Sequence, residues 1–263
     1  MEHGIDRRGE VTITKQALRL RAEVDARVPR TAMVMAAGLG KRMRPLTASR
    51  PKPLVEVAGK PLLDHVLDRL RCAGVEHVVV NVHYLPDALE AHLRTHADGL
   101  EVSISDERAL LLETGGGLVK AAPLIDCDPF LAVNSDNLWV DGPADTLKLL
   151  ASQWDGARMD ALLLLVPQAR AENHKGLGDF HMDRSGRLRR RDRSRVAPYV
   201  YTGIQIIAKS LLTDAPDGPF STNLFWDRAI EAGRCFGAVH QGLWFDVGTP
   251  DSIRTTEQVL ASG

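Results

Sequence analysis

The sequence predicts an α/β fold, with a mostly parallel sheet covered by helices on both faces. Two observations carry this expectation. Apolar runs of buried-strand length alternate with stretches whose apolar residues recur at helical spacing. Three of the strand-like runs also lead to Gly38, Asn81 and Asp136, residue types suited to ligand-binding strand ends.

In chain order, residues 32–36 (AMVMA) read as a short buried strand that stops at Gly38-Leu39-Gly40. The segment from there to Pro53 is a long loop stiffened by Pro45, Pro51 and Pro53, since each proline disfavours helical geometry just before it. Leu62, Leu63, Val66, Leu67 and Leu70 then mark a helix capped at Gly74. Residues 77–81 (HVVVN) form a buried strand, 85–94 a helix with Pro86 in its first turn, and 102–105 a third strand. Thr114 opens a glycine turn, Gly115-Gly116-Gly117, that leads into a short helix over 118–122. A fourth strand over 130–134 and a helix over 144–153 follow.

The later half reads as strands at 161–166 and 201–207, with a polar stretch over 180–196 between them. Asp183-Arg184-Ser185-Gly186 turns that stretch into a hairpin, which predicts a small β flap near residues 167–200. A helix over 223–232, a strand over 235–239 and a terminal helix opened by Pro250 complete a Rossmann-like three-layer sandwich. Residues 31–263 form the domain. Residues 1–30 are an extension of unassigned role, and Leu18, Leu20 and Val24 give its 15–27 stretch the look of a short amphipathic helix.

Composition narrows the function. The chain has 263 residues, 44% hydrophobic and 25% charged, enough for a sizeable core. A net charge of −1 argues against a general nucleic-acid binder or a binder of acidic membranes. The run RLRRRDRSR over 187–195 has no interleaved aromatic residues to stack bases, and it reads as a solvated hairpin edge. Cys72, Cys127 and Cys235 are too widely spaced for a C-x-x-C zinc site and suit a reducing cytoplasm. No run approaches the roughly 18 apolar residues of a membrane helix, and the N-terminus has no signal-peptide core.

Charge is concentrated instead around the first loop. Between Thr31 and Lys60 stand six basic residues (Lys41, Arg42, Arg44, Arg50, Lys52, Lys60) and one acid, Glu56. Glycines at a strand end let backbone N–H groups approach a ligand, and clustered cations complement phosphate oxygens. This is a polyphosphate cradle of neither common type. Arg42 stands where a Walker A loop needs Ser or Thr, and Met43 where a dinucleotide fingerprint needs its third glycine.

Two aspartates accompany the loop: Asp136 in NSDN, after a parallel strand, and Asp246 in WFDVGTP. Magnesium favours one or two carboxylates together with phosphate oxygens and water, so the pair suits a Mg2+ site.

Residues 36–61 follow the pattern A-A-G-x-G-x-R-M-x-P-L-T-x-x-x-P-K-P-L-x-x-V-x-x-K-P at every fixed position. This resembles the sugar-1-phosphate nucleotidyltransferases, and the likeness extends over roughly residues 31–261. It implies a Mg2+-dependent enzyme whose partners are a nucleoside triphosphate and a sugar 1-phosphate, working as a monomer or small homo-oligomer. The resemblance places Ala36, Ala37, Gly38, Gly40, Lys41, Arg42 and Lys52 on the nucleotide, with Arg42, Lys52 and Asp136 catalytic. It sets Asn81, Gly115 and Gly116 against the base, and Asp179, Thr202, Gly203 and Asn223 on the sugar. Asp136 and Asp246 would hold the metal, and Ser135 departs from the glycine common before the first of them. The ETGGG, GDF and WFDVGTP segments resemble a branch that uses UTP and a carboxylated sugar 1-phosphate in cell-wall recycling, with arginines after Asp183 offered to the carboxylate. A branch using GTP comes next. His83, His174 and His181 are expected in surface or packing roles, since this chemistry needs no histidine base. A catalytically dead nucleotide sensor would have no reason to keep Arg42, Lys52, Asp136 and Asp246 together.

Overall fold

The structure is a computed structural model, and it describes residues 24–262. The chain runs β1 (Thr31–Met35), the ribbon β2 (Glu56–Val57) and β3 (Lys60–Pro61), α1 (Leu62–Ala73), β4 (His77–Val82), α2 (Pro86–His96) and β5 (Glu101–Asp106). It continues through α3 (Glu113–Ala121), β6 (Phe130–Asn134), β7 (Leu138–Val140), α4 (Thr146–Ser152), β8 (Ala161–Pro167) and β9 (Ala171–Glu172). Last come β10 (Phe180–Met182), β11 (Leu188–Arg190), β12 (Tyr199–Ile207), α5 (Asn223–Glu231), β13 (Cys235–Val239), β14 (Leu243–Phe245) and α6 (Pro250–Ser262).

The main sheet has nine strands, ordered β11-β10-β12-β6-β1-β4-β5, with β8 on the other side of β12 and β13 beyond β8. The β6-β1-β4-β5 part is parallel, and β12 runs antiparallel to both β6 and β8. Alternation along each strand builds the three layers. Ala32 and Val34 of β1, with Val78 and Val80 of β4, join the cluster containing Leu63 and Val66 of α1, Leu89 of α2 and Leu147 of α4. Met33 and Val79 belong to a second cluster, with Leu118 of α3 and Phe225 of α5. The hairpin β10–β11 joins the main sheet through the pair Phe180–Tyr199.

Two differences from expectation have clear causes. Gly115, Gly116 and Gly117 lie inside α3 rather than in a turn before it. A side chain on Gly115 would meet the Phe220 ring at 2.4 Å, so close packing outweighs the poor helix propensity of glycine. The short strands β2, β3, β7, β9 and β14 have too few residues to show a period in sequence. The expected 15–27 helix lies largely outside the described residues, and residues 24–30 have no regular structure. No helix among the described residues is long and apolar enough to cross a membrane.

Cys235 opens β13 inside the core, and burial pushes its thiol up to about 12. Cys72 is exposed. An alkylating reagent at mildly alkaline pH should therefore label Cys72 in the folded protein and reach Cys235 only after denaturation. Mass spectrometry of the labelled peptides reads this directly, and equal labelling of the two would contradict the packing of β13.

Candidate active site

The first loop leaves β1 under tight restraint. Asn81, buried on β4, accepts hydrogen bonds from the N–H groups of Ala36 (2.6 Å) and Ala37 (3.3 Å). Its own amide donates to Glu107 Oε1 at 2.7 Å, and Glu107 Oε2 accepts from the Leu112 N–H at 2.9 Å. Glu107 is fully buried. Farther along, the Thr47 hydroxyl donates to the Gly40 carbonyl at 2.8 Å, and the Tyr84 hydroxyl to the Thr47 carbonyl at 2.9 Å. Gly40 takes a φ of +58°, where a side chain would come within 3.0 Å of Lys52 Cβ. Among the described residues nothing accepts from the N–H groups of Gly38, Leu39 or Gly40, so these donors remain for a ligand.

Two cavities open above this edge of the sheet. One, of about 440 Å³, is lined by Ala36, Gly38, Gly40, Lys41, Arg42 and Lys52, together with Leu111, Asp136 and Gly248. The other, of about 200 Å³, is lined by Asn134, Asn137, His174, Asp179, Thr202 and Gly203, together with Trp244 and Asp246. Arg42 and Asp136 line both, so they stand at the junction. Lys52 pairs with Asp136 across this seam, while among the described residues no carboxylate pairs with Arg42 or Lys41. A side chain on Gly248 would sit 2.9 Å from an Arg42 guanidinium nitrogen and 3.0 Å from Asp246 Oδ1, so the bare Gly-Thr-Pro turn brings that cation and that carboxylate together.

The two aspartates are placed by one ladder. Asp136 lies in the turn between β6 and β7, and Asp246 directly follows β14. β7 and β14 pair antiparallel, with Phe245 opposite Leu138. Ser135 ties the start of that turn to β1, its hydroxyl donating to the Met35 carbonyl at 2.8 Å. The serine thus supplies a bond that a glycine lacks.

Two residues lining the second cavity carry unpartnered polar atoms. Asn137 Nδ2 and His174 Nε2 are buried without a hydrogen-bond partner, and an acceptor reaching Asn137 would satisfy its amide nitrogen. His174 Nδ1 lies 3.6 Å from Asp246 Oδ2. Burial raises the Tyr201 phenol above its ordinary value, so it stays protonated. Thr202 and Gly203 form an irregularity in β12, and Gly203 at φ +84° passes within 2.7 Å (from an added Cβ) of the Asn134 and Asn137 amides.

Most sequence-derived site residues therefore converge, and several do not. Ala37 and Asn81 stay off the first cavity, because Asn81 spends both ends of its amide in holding the loop. Gly115 and Gly116 make their close approach to protein, with both N–H groups donating to the Phe220 carbonyl. Asn223 is exposed at the start of α5, away from both cavities. Three of the arginines after Asp183 bond to protein groups: Arg187 to the Gly233 carbonyl, Arg190 to Asp227, Arg191 to the Gly178 carbonyl. His174, expected in a surface or packing role, lines the second cavity beside Asp246. Glu107, Thr47 and Asn137 were not singled out from sequence. For Thr47 the signal was available, since it is a fixed position of the loop pattern.

A cationic glycine loop facing two carboxylates at the carboxyl edge of an α/β sheet is built to receive phosphate-bearing ligands. A family model described as nucleotidyl transferase matches residues 31–263. The chain is 45% identical over 239 residues to N-acetylmuramate alpha-1-phosphate uridylyltransferase of Caulobacter vibrioides, covering 90% of this chain and 99% of that protein. It is 31% identical over 232 residues to mannose-1-phosphate guanylyltransferase catalytic subunit beta of Danio rerio, covering 85% of this chain and 62% of that one. In fold it is similar to the inositol-1-phosphate CTP transferase from T. maritima, with a TM-score of 0.74 at 20% identity, covering 90% of this chain and 96% of that one. The chain therefore belongs to the nucleotidyl transferase family, among the enzymes that act on sugar 1-phosphates.

Proposed function

We propose that this enzyme transfers the uridylyl group of UTP to N-acetylmuramate 1-phosphate, giving a UDP-sugar and pyrophosphate in cell-wall recycling. The observation that carries this reading is the pair of cavities meeting at Arg42 and Asp136. The larger takes the triphosphate on the free N–H groups of Gly38 to Gly40 and on Lys41 and Arg42. The smaller takes the sugar 1-phosphate, so its phosphate oxygen reaches the α-phosphorus at the seam. That oxygen forms the new P–O bond as the bond to pyrophosphate breaks. Arg42, a planar fork without a carboxylate partner, holds the departing charge, and Lys52 serves the α-phosphate as a mobile point charge. Catalysis then rests on positioning and electrostatic stabilisation, with no covalent enzyme intermediate.

Asp136 and Asp246 suit magnesium as a donor set. Both are carboxylates on the second cavity and both are partly exposed, which leaves room for phosphate oxygens and water. When bound there, the ion neutralises the phosphates and aligns them. On the sugar side, the Asn137 amide nitrogen, which has no protein acceptor, is the donor offered to the lactyl carboxylate.

The test is pyrophosphate release with UTP and GTP, each paired with N-acetylmuramate 1-phosphate and with mannose 1-phosphate. The expected outcome is a clear preference for the first of each. Preference for GTP with mannose 1-phosphate would overturn the substrate assignment and favour the guanylyltransferase reading. Nucleotide binding without turnover of any pair would favour a sensor.

A further inference from the structure

Away from both cavities, α1 and α2 bring three metal-ligating side chains together. Asp64 lies in the first turn of α1, and His92 and His96 stand one turn apart on α2. His92 Nε2 lies 2.6 Å from Asp64 Oδ1, and both side chains are only 13% exposed. The imidazoles of His92 and His96 stack with centroids 3.9 Å apart and planes within 8°. One donor atom from each of the three residues falls within 4.8 Å of the others.

Hydrogen bonding sets which nitrogen of His96 is available to a ligand. Its Nδ1 lies 2.7 Å from Thr95 Oγ1 and 3.1 Å from the His92 carbonyl. The Thr95 hydroxyl proton is directed at the His92 carbonyl at 3.0 Å, so its oxygen accepts from the ring. Nδ1 therefore carries the proton, and Nε2 presents its lone pair. Metal-bound histidines are held in this way, with the other ring nitrogen donating to a carbonyl or similar acceptor.

We propose that Asp64, His92 and His96 form a binding site for a borderline transition metal such as Zn2+, which clamps α1 to α2. Two imidazoles and one carboxylate suit Zn2+, Co2+ or Ni2+ and are a poor set for Mg2+, which prefers oxygen ligands. Water completes the coordination. His96, the exposed member, swings in to close the site. The ion is structural, since none of the three ligands lines either cavity.

The experiment is calorimetric titration of the metal-stripped full chain with Zn2+ in saturating Mg2+, so that Asp136 and Asp246 are occupied. One equivalent should bind and raise Tm. His92→Gln and His96→Gln should each weaken binding at least about tenfold. Co2+ should give visible absorption bands in the parent that both variants lose. His96 is exposed, so its variant keeps the fold, as circular dichroism would verify. Undiminished zinc affinity in the His92→Gln/His96→Gln chain would place the metal elsewhere and overturn the proposal. So would the lack of both zinc heat and a Co2+ band in the parent at millimolar metal.

Discussion

Asp136→Asn should lose at least roughly a thousandfold in kcat, and Asp246→Asn a comparable amount, with circular dichroism and thermal unfolding close to the parent. Metal-assisted charge neutralisation is worth several kcal/mol at the transition state, and each 1.4 kcal/mol or so is a decade in rate. Neither carboxylate supports the core: both are partly exposed at the open edge of the sheet. The Asp136 variant should show a second effect, because it also leaves Lys52 without its partner. Magnesium titrations of pyrophosphate release separate the roles. A variant that kept near-parent rates at limiting magnesium would remove its residue from the metal site.

Asn81→Ala is the change with the largest expected effect on stability. It strips the acceptor from two loop N–H groups and leaves the buried Glu107 carboxylate one donor short. Breaking a buried polar network in this way costs about 3 kcal/mol, or roughly 10 °C in Tm for a domain of this size. The glycine loop loses its anchor as well, so KM for the triphosphate should rise. Asn81→Asp should be at least as damaging, because it keeps the acceptor but sets a second carboxylate against Glu107. A Tm within a degree of the parent in both variants would show that the network does not hold the loop.

The layered fold was legible because its long elements carry their period openly. The heptad-like apolar set from Leu62 to Leu70, the run at His77 and the run at Phe130 all form as read. The long loop after β1 was legible because its glycines, prolines and cations crowd into one short stretch of sequence. What escaped was whatever depends on residues far apart in the chain. Asn81 lies one residue short of the end of its strand, and its side chain holds the first loop, a role that only the arrival of Glu107 and Ala36 beside it reveals. The glycines of α3 advertised a close approach without saying to what, and the answer is Phe220. His174 looked like any surface histidine because its neighbour Asp246 comes from beyond β14.

The pairing of β7 with β14 bears on how the molecule can move. Because Phe245 is bonded opposite Leu138, Asp136 and Asp246 ride on one ribbon and form a single jaw. A slip of one residue in that ribbon would carry Asp246 about 3.4 Å along the strand and turn alternate side chains over. The spacing of the two carboxylates is therefore quantised by strand register and insensitive to gentle flexing.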